Sequence, residues 1–401
     1  ARRLLADGEQ SAELAAAYRQ LCQRLDTERS ARDRRFGDLL AAWSPGLPAT
    51  GAGDLVPVED LLEAVVAPVA RAAPVLLIVC DGMSLSTAHE VLRNIRVDGW
   101  MEVAPTERDR WPVGVAMLPT VTEVSRASLL AGGRVEGGQA VEREGFAAHR
   151  ALRAVSSPTR PPVLFHKGDL VGRDGYALAD PVQRALADPD QRVVGVVLNA
   201  VDDHLSRGEQ VQVEWNLDTL RPLGALLDVA ADAGRLVIVT ADHGHVLHGE
   251  GAVLRPSGTD NGERWRTSPP PPGADEIEVH GPRVLKGGRV VLPTDARIRY
   301  GGHKHGYHGG ATPQEVLVPV VVVARFLPEG WQPLPSREPA WWSGRPPVSQ
   351  QVLAAPAQPA GSRAGTRKPA EATQLSMLEP DPAPRPAAAA AGGTSWVGDL
   401  L

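Results

Sequence analysis

The 401-residue chain has only two cysteines, Cys22 and Cys80, and Cys80 sits inside an apolar run. So few thiols exclude a disulfide framework and a cysteine-rich zinc site, and they fit a reducing compartment. No apolar run approaches the roughly eighteen residues of a membrane span. The opening "ARRLLADGEQ" is charged where a signal peptide would be apolar, so a cytoplasmic protein without a membrane anchor is expected. A strong net charge is lacking too. The 42 basic and 48 acidic residues leave −6, which excludes coating nucleic acid by charge alone but leaves room for a local basic patch. The chain also lacks an initiating methionine and closes abruptly on "GTSWVGDLL", which reads as a piece of a longer protein.

What is there suffices for a large core, with 43% hydrophobic residues. Leu14, Tyr18, Leu21 and Leu25 recur at helical spacing, so residues 11–43 read as one or two amphipathic helices. Candidate strands follow in "PVLLIVC" (74–80), "VGVAML" (113–118), "PVLFH" (162–166), "VVGVVLNA" (193–200), "RLVIVTA" (235–241) and "EVLVPVVVVARF" (315–326). Several are apolar almost throughout, as strands covered on both faces are, and helical stretches such as residues 215–234 separate some of them. The expected fold is α/β, a mostly parallel sheet sandwiched by helices. An N-terminal helical segment (1–58) precedes a core (59–327). From Pro328 onward, with over a third of the prolines and "PAPRPAAAAAGG", a Pro/Ala-rich linker or tail is expected, anchored if at all by Trp341 and Trp342.

Ligands of a parallel sheet gather at the carboxyl ends of its strands, and there the polar chemistry collects. Asp81-Gly82 follows the first strand; Thr120, Thr122 and Ser125 follow the second; Asp202, Asp203 and His204 come after "VVLNA"; and Asp242, His243 and Gly244 after "VIVTA". His303, His305 and His308 precede the last strand. Carboxylates and imidazoles without thiolates suit zinc or manganese, and a pair of such ions suits phosphoryl chemistry. Adjacent strand residues point oppositely, so only one of Asp202 and Asp203 is expected to be a ligand, with Asp203 preferred.

The ordered motifs "LLIVCDGMS", "LPTVTEVSRASLLAGG", "LFHKGDL", "VVLNAVDDHL", "TADHGHVL" and "YHGGATPQEVLVP" resemble the PglZ domain of BREX-type phage-defence systems, within the alkaline phosphatase superfamily. The resemblance spans roughly residues 70–326. It implies an alkaline-phosphatase-like fold and one ion held by Asp81, Thr122, Asp242 and His243. A second ion would take Asp203, His204 and His308. Zn2+ is expected at both sites, with Mn2+ or Mg2+ as alternatives. Superfamily members often place a histidine four positions after the second-site aspartate; here that spacing gives Ser206 from Asp202 and Arg207 from Asp203, so either Asp203 and His204 substitute or the second site is weaker. Thr122 is the implied nucleophile, Ser125 its substitute, and Thr120 a turn residue. Arg126 is expected to clamp phosphate oxygens, with Lys167 a similar candidate; His166, His245 and His303 are expected to be structural or peripheral. The implied activity is a metal-dependent phosphodiesterase or nuclease acting on DNA or a nucleotide, in company with other defence proteins. The alternative is a non-catalytic scaffold. A sulfatase is disfavoured because "TVTEVSR" lacks the modifiable turn of that branch.

Overall fold

The strands that build the main sheet are the apolar runs of the sequence. They are β1 (Val75–Cys80), β2 (Met101–Pro105), β3 (Val163–Phe165), β4 (Val193–Leu198), β5 (Leu236–Thr240), β6 (Val320–Ala324) and β7 (Trp331–Pro333). In this computed structural model the described residues are 8–46, 54–172, 177–207, 215–247, 252–257 and 260–335. The chain divides into two units, Ala1–Ser336 and Arg337–Leu401, and all described residues belong to the first. The proline-rich tail from residue 336, with Trp341 and Trp342, lies outside them.

The sheet order is β7-β2-β6-β5-β1-β4-β3. β5, β1, β4 and β3 form a parallel block. β6 runs antiparallel to β5 and to β2, and β7 antiparallel to β2. The sheet is therefore mixed, although five of its seven strands share one direction. β1, β4 and β5 are buried at every residue, which is why their sequences run apolar without alternation.

Three strand expectations are corrected. Val113–Val115 pairs with Leu55–Pro57 and Leu317–Val318 in a separate small sheet. The run 315–326 splits at Pro319, which has no N–H to give a ladder, into Leu317–Val318 and β6. β7 lies beyond residue 327, so the sheet extends into the segment expected to be linker.

The helices used below are α1 (Ala12–Trp43), α2 (Leu85–Val97), α3 (Thr122–Ala131), α4 (Gln139–Ala148), α5 (Asp180–Ala187), α6 (Ala200–Arg207) and α7 (Leu223–Asp232). α1 is one helix, capped by Ser11, whose Oγ accepts from Leu14 N at 3.3 Å. It buries Phe36, Gly37 and Leu40 near its C-terminal end and leaves Leu14, Leu21 and Leu25 exposed. α7 packs through Leu223, Leu226, Leu227 and Ala230, and α2 through Val91, Leu92 and Ile95.

Candidate metal centre

The parallel register fixes which side chains meet. Val79 is level with Thr240 and Cys80 with Leu198, so the residues leaving β1, β4 and β5 at their carboxyl ends arrive together. These are Asp81, Asn199 and Asp242. Two glycines make the convergence possible. Gly82 holds φ +74°, a conformation that costs an L side chain, and its N–H donates to Asp242 Oδ1 at 3.2 Å. Gly244 meets Gln314 so closely that a Cβ there would lie 2.0 Å from the Gln314 carbonyl oxygen.

Asp81, Asp242 and His243 are buried, and each offers a ligand atom within 4.8 Å of the others. His243 Nδ1–H donates to the Gly244 carbonyl at 3.0 Å. This leaves the Nε2 lone pair 3.4 Å from Asp242 Oδ2 and 3.6 Å from Asp81 Oδ1. Burial holds His243 well below the usual imidazole pKa, so the ring is neutral. Burial likewise raises both carboxyls, Asp242 strongly because Asp81 lies beside it. Asp242 Oδ2 is buried with no hydrogen-bond partner. Two crowded carboxylates, a neutral imidazole lone pair and an orphaned oxygen are a donor set that fits a hard or borderline divalent cation.

Thr122 opens α3, with Val121 as the N-cap residue. Its Oγ1 is 3.3 Å from Asp81 Oδ1 and 3.3 Å from His243 Nε2. Ser125 is fully buried instead: its Oγ donates to the Asp242 carbonyl at 2.6 Å and accepts from Met117 N at 3.0 Å. Thr120 braces the neighbouring loop, donating to the Gly310 carbonyl at 3.2 Å and accepting from Gly309 N at 2.9 Å.

His308 stacks on His243 with ring centroids 4.3 Å apart. Its Nδ1–H donates to the Thr120 carbonyl at 3.1 Å, and Nε2 lies 3.5 Å from Asp202 Oδ1. Burial pulls its pKa down, but the Asp202 bond and charge outweigh this and lift it to about 9. Asp202 drops to about 2, its own burial cost being overcome by His308.

The structure thus puts Asp202, not Asp203, beside His308. β4 ends at Leu198 and α6 begins at Ala200, so strand alternation does not govern these residues. A helix turns by about 100° per residue, and that rotation carries Asp203 away to pair with Lys167. His204 packs edge-on against Trp215, with centroids 5.7 Å apart.

Arg126 also differs from expectation. Its Nη1 donates to Asp81 Oδ2 at 2.5 Å and its Nε to Glu142 Oε1 at 2.9 Å, in a buried position. It holds Asp81 rather than presenting an open guanidinium. His166 meets Glu142, His245 Nδ1–H donates to the Gly82 carbonyl at 2.7 Å, and His303 packs against His305.

Four residues escaped the sequence reading, Glu142 among them. Asn199 Nδ2 donates to Asp81 Oδ2 at 2.6 Å; it stands at the end of a candidate strand, a position that could have flagged it. Arg264 and Glu315 form a fully buried two-bond pair behind the His308 loop, where Gly310 N also donates to Glu315 Oε1 at 2.8 Å. Nothing local in the sequence announces that pair.

None of the curated proteins matches the chain. Solved structures similar to it include human ectonucleotide pyrophosphatase/phosphodiesterase 5, at 11% identity over 64% of this chain and 89% of that one, with a TM-score of 0.38. The murine protein gives 12%, 63%, 88% and 0.33. An inactive form of it in complex with AMP gives 11%, 63%, 88% and 0.35. Residues 61–323 match the family described as the BREX system PglZ alkaline phosphatase-like domain.

Proposed function

The chain belongs to the PglZ family of BREX-system alkaline phosphatase-like domains, and from that premise we propose that it is a metal-dependent phosphodiesterase with Thr122 as nucleophile. The observation that carries this is the position of Thr122 Oγ1, 3.3 Å from both Asp81 Oδ1 and His243 Nε2, at the mouth of a buried oxygen and nitrogen donor set. Asp81, Asp242 and His243 would hold one divalent ion, and Asp202 with His308 would contribute to a second. Zn2+ and Mn2+ both suit these ligands. An ion bound there supplies positive charge that lowers the hydroxyl pKa and offsets charge on phosphate oxygens.

The remaining work falls to the chain itself. Thr122 Oγ1 bonds to phosphorus while one alcohol leaves, and water then hydrolyses the threonine ester to restore the hydroxyl. The N-terminus of α3, at which Thr122 sits, favours the negative charge of the bound phosphate. Arg126 is engaged by Asp81 and Glu142, and Lys167 pairs with Asp203. With these cations already committed, the single charge of a diester fits better than the double charge of a monoester. Nucleic acid or a nucleotide is the substrate class in view. Other components of the BREX system are the expected partners, and the cytoplasm is the expected location. Among the described residues no helix is long and apolar enough to cross a membrane.

The test is hydrolysis of phosphodiester, phosphomonoester and nucleic-acid substrates by the full chain. Diester cleavage should disappear with a chelator and return with Zn2+ or Mn2+. A chain that binds metal and partner proteins yet cleaves none of these substrates would be a scaffold instead.

A further inference from the structure

Behind Asp81 runs a chain of side chains that motif reasoning does not connect. Arg126 bridges Asp81 and Glu142 at 2.5 Å and 2.9 Å, and His166 Nε2–H donates to the other Glu142 oxygen at 2.5 Å. All four side chains are more than nine-tenths buried. Glu142 reaches this place because α4 lies unusually close to α3: a Cβ on Gly145 would meet Ala131 Cα at 2.6 Å.

Two donors, Arg126 and Asn199, both take Asp81 Oδ2, which turns Oδ1 toward Thr122 and His243. Alone, the Arg126 cation would cancel the charge on Asp81 and repel any cation approaching Oδ1. Glu142 offsets that cation. Asp81, Asp242 and Glu142 against Arg126 leave two negative charges in a buried cluster, the complement of one divalent ion, and in such surroundings charge acts strongly.

We propose that Glu142, acting through Arg126, is a positioning residue that sets how tightly the Asp81–Asp242–His243 centre holds a divalent cation. This rests on the metal-centre reading above. Groups that hold metal ligands in place typically change affinity by about 10–100-fold when altered.

The experiment titrates Mn2+ calorimetrically into the chelator-treated wild-type chain, Glu142→Gln and Glu142→Asp. Gln keeps the shape and loses the charge; Asp keeps the charge and shortens the reach. Electrostatic control predicts affinity in the order wild type, Asp, Gln, with Gln weaker than wild type by roughly tenfold. A side chain that only fills space predicts the reverse order for the variants, because Gln is isosteric, and that result overturns the inference. Melting temperature in chelator serves as the check on folding. If only Glu142→Asp folds, an Mn2+ affinity about tenfold or more below wild type overturns the inference, because the charge is retained there, and an affinity within a few-fold of wild type upholds it. A wild type that takes up no Mn2+ overturns the metal-centre reading and this inference with it, whereas three proteins that bind alike overturn this inference alone.

Discussion

Asp242 Oδ2 lies 3.4 Å from His243 Nε2, buried and without a hydrogen-bond partner. Burial, with a second carboxylate alongside, disfavours the ionised form of this group, which weakens the metal-free fold at neutral pH and favours a cation. Asp242→Asn keeps the shape and removes the charge. In chelator the variant should melt no lower than wild type, because the repulsion with Asp81 is relieved. In Mn2+ the wild type should gain melting temperature by mass action while the variant gains little. Thermal unfolding of both proteins in both conditions checks this, and an equal Mn2+ gain in the variant counts against the site.

Thr122 and Ser125 separate chemistry from structure. Thr122→Ala should bind Mn2+ like wild type and lose diester turnover by orders of magnitude, while Thr122→Ser retains part of it. Ser125 bridges the Asp242 carbonyl and Met117 N, so Ser125→Ala leaves buried groups unpaired at a cost of about 1–3 kcal/mol. It should lower stability more than it alters the reaction. Metal content, melting temperature and turnover measured together distinguish the two. Full activity in Thr122→Ala with a dead Ser125→Ala would move the nucleophile.

Asp202 and Asp203 are adjacent in sequence but face different partners, His308 and Lys167. Asp202→Ala should therefore cut turnover sharply and reduce metal stoichiometry. Asp203→Ala breaks a pair whose Lys167 is mostly exposed, and such pairs contribute about 0–1 kcal/mol, so its effect should be small. The opposite ranking would restore Asp203 as the ligand.

That pair also shows what sequence can and cannot tell. Asp81, Asp242 and His243 were legible because each follows an unbroken apolar run, and parallel strands bring their carboxyl ends to one edge. The Asp202/Asp203 choice needed the end of β4, and element boundaries are not written in hydrophobicity: one residue of helix in place of strand reverses the answer. β2 and β7 escaped for another reason. Met101–Pro105 and Trp331–Pro333 contain Glu102, Pro105, Gln332 and Pro333, so neither gives an apolar run, and they pair at one side of the sheet, β7 at its edge. Arg126 was placed in the right neighbourhood by its spacing from Thr122, but its partner Glu142 comes from a different helix.

The buried Arg264–Glu315 pair supplies the last prediction. Glu315 accepts from Arg264 Nε at 2.7 Å and Nη2 at 2.9 Å, from Gly310 N at 2.8 Å and from Thr312 Oγ1 at 2.7 Å. Removing one partner of such a pair strands the other charge in the interior, which costs about 3–5 kcal/mol. Glu315→Ala should therefore lower the melting temperature by roughly 5 °C, taking about 1–2 °C per kcal/mol for a unit as large as Ala1–Ser336. Because Glu315 also ties down Gly310, two residues after His308, turnover should fall below what the loss of folded protein explains. The contrast is Glu278, which meets a largely exposed Arg289 at 3.3 Å. Glu278→Ala should stay within about 0.5 kcal/mol of wild type. Calorimetric melting of the two variants beside wild type decides it: equal shifts would mean that burial is not what gives the Arg264–Glu315 pair its weight.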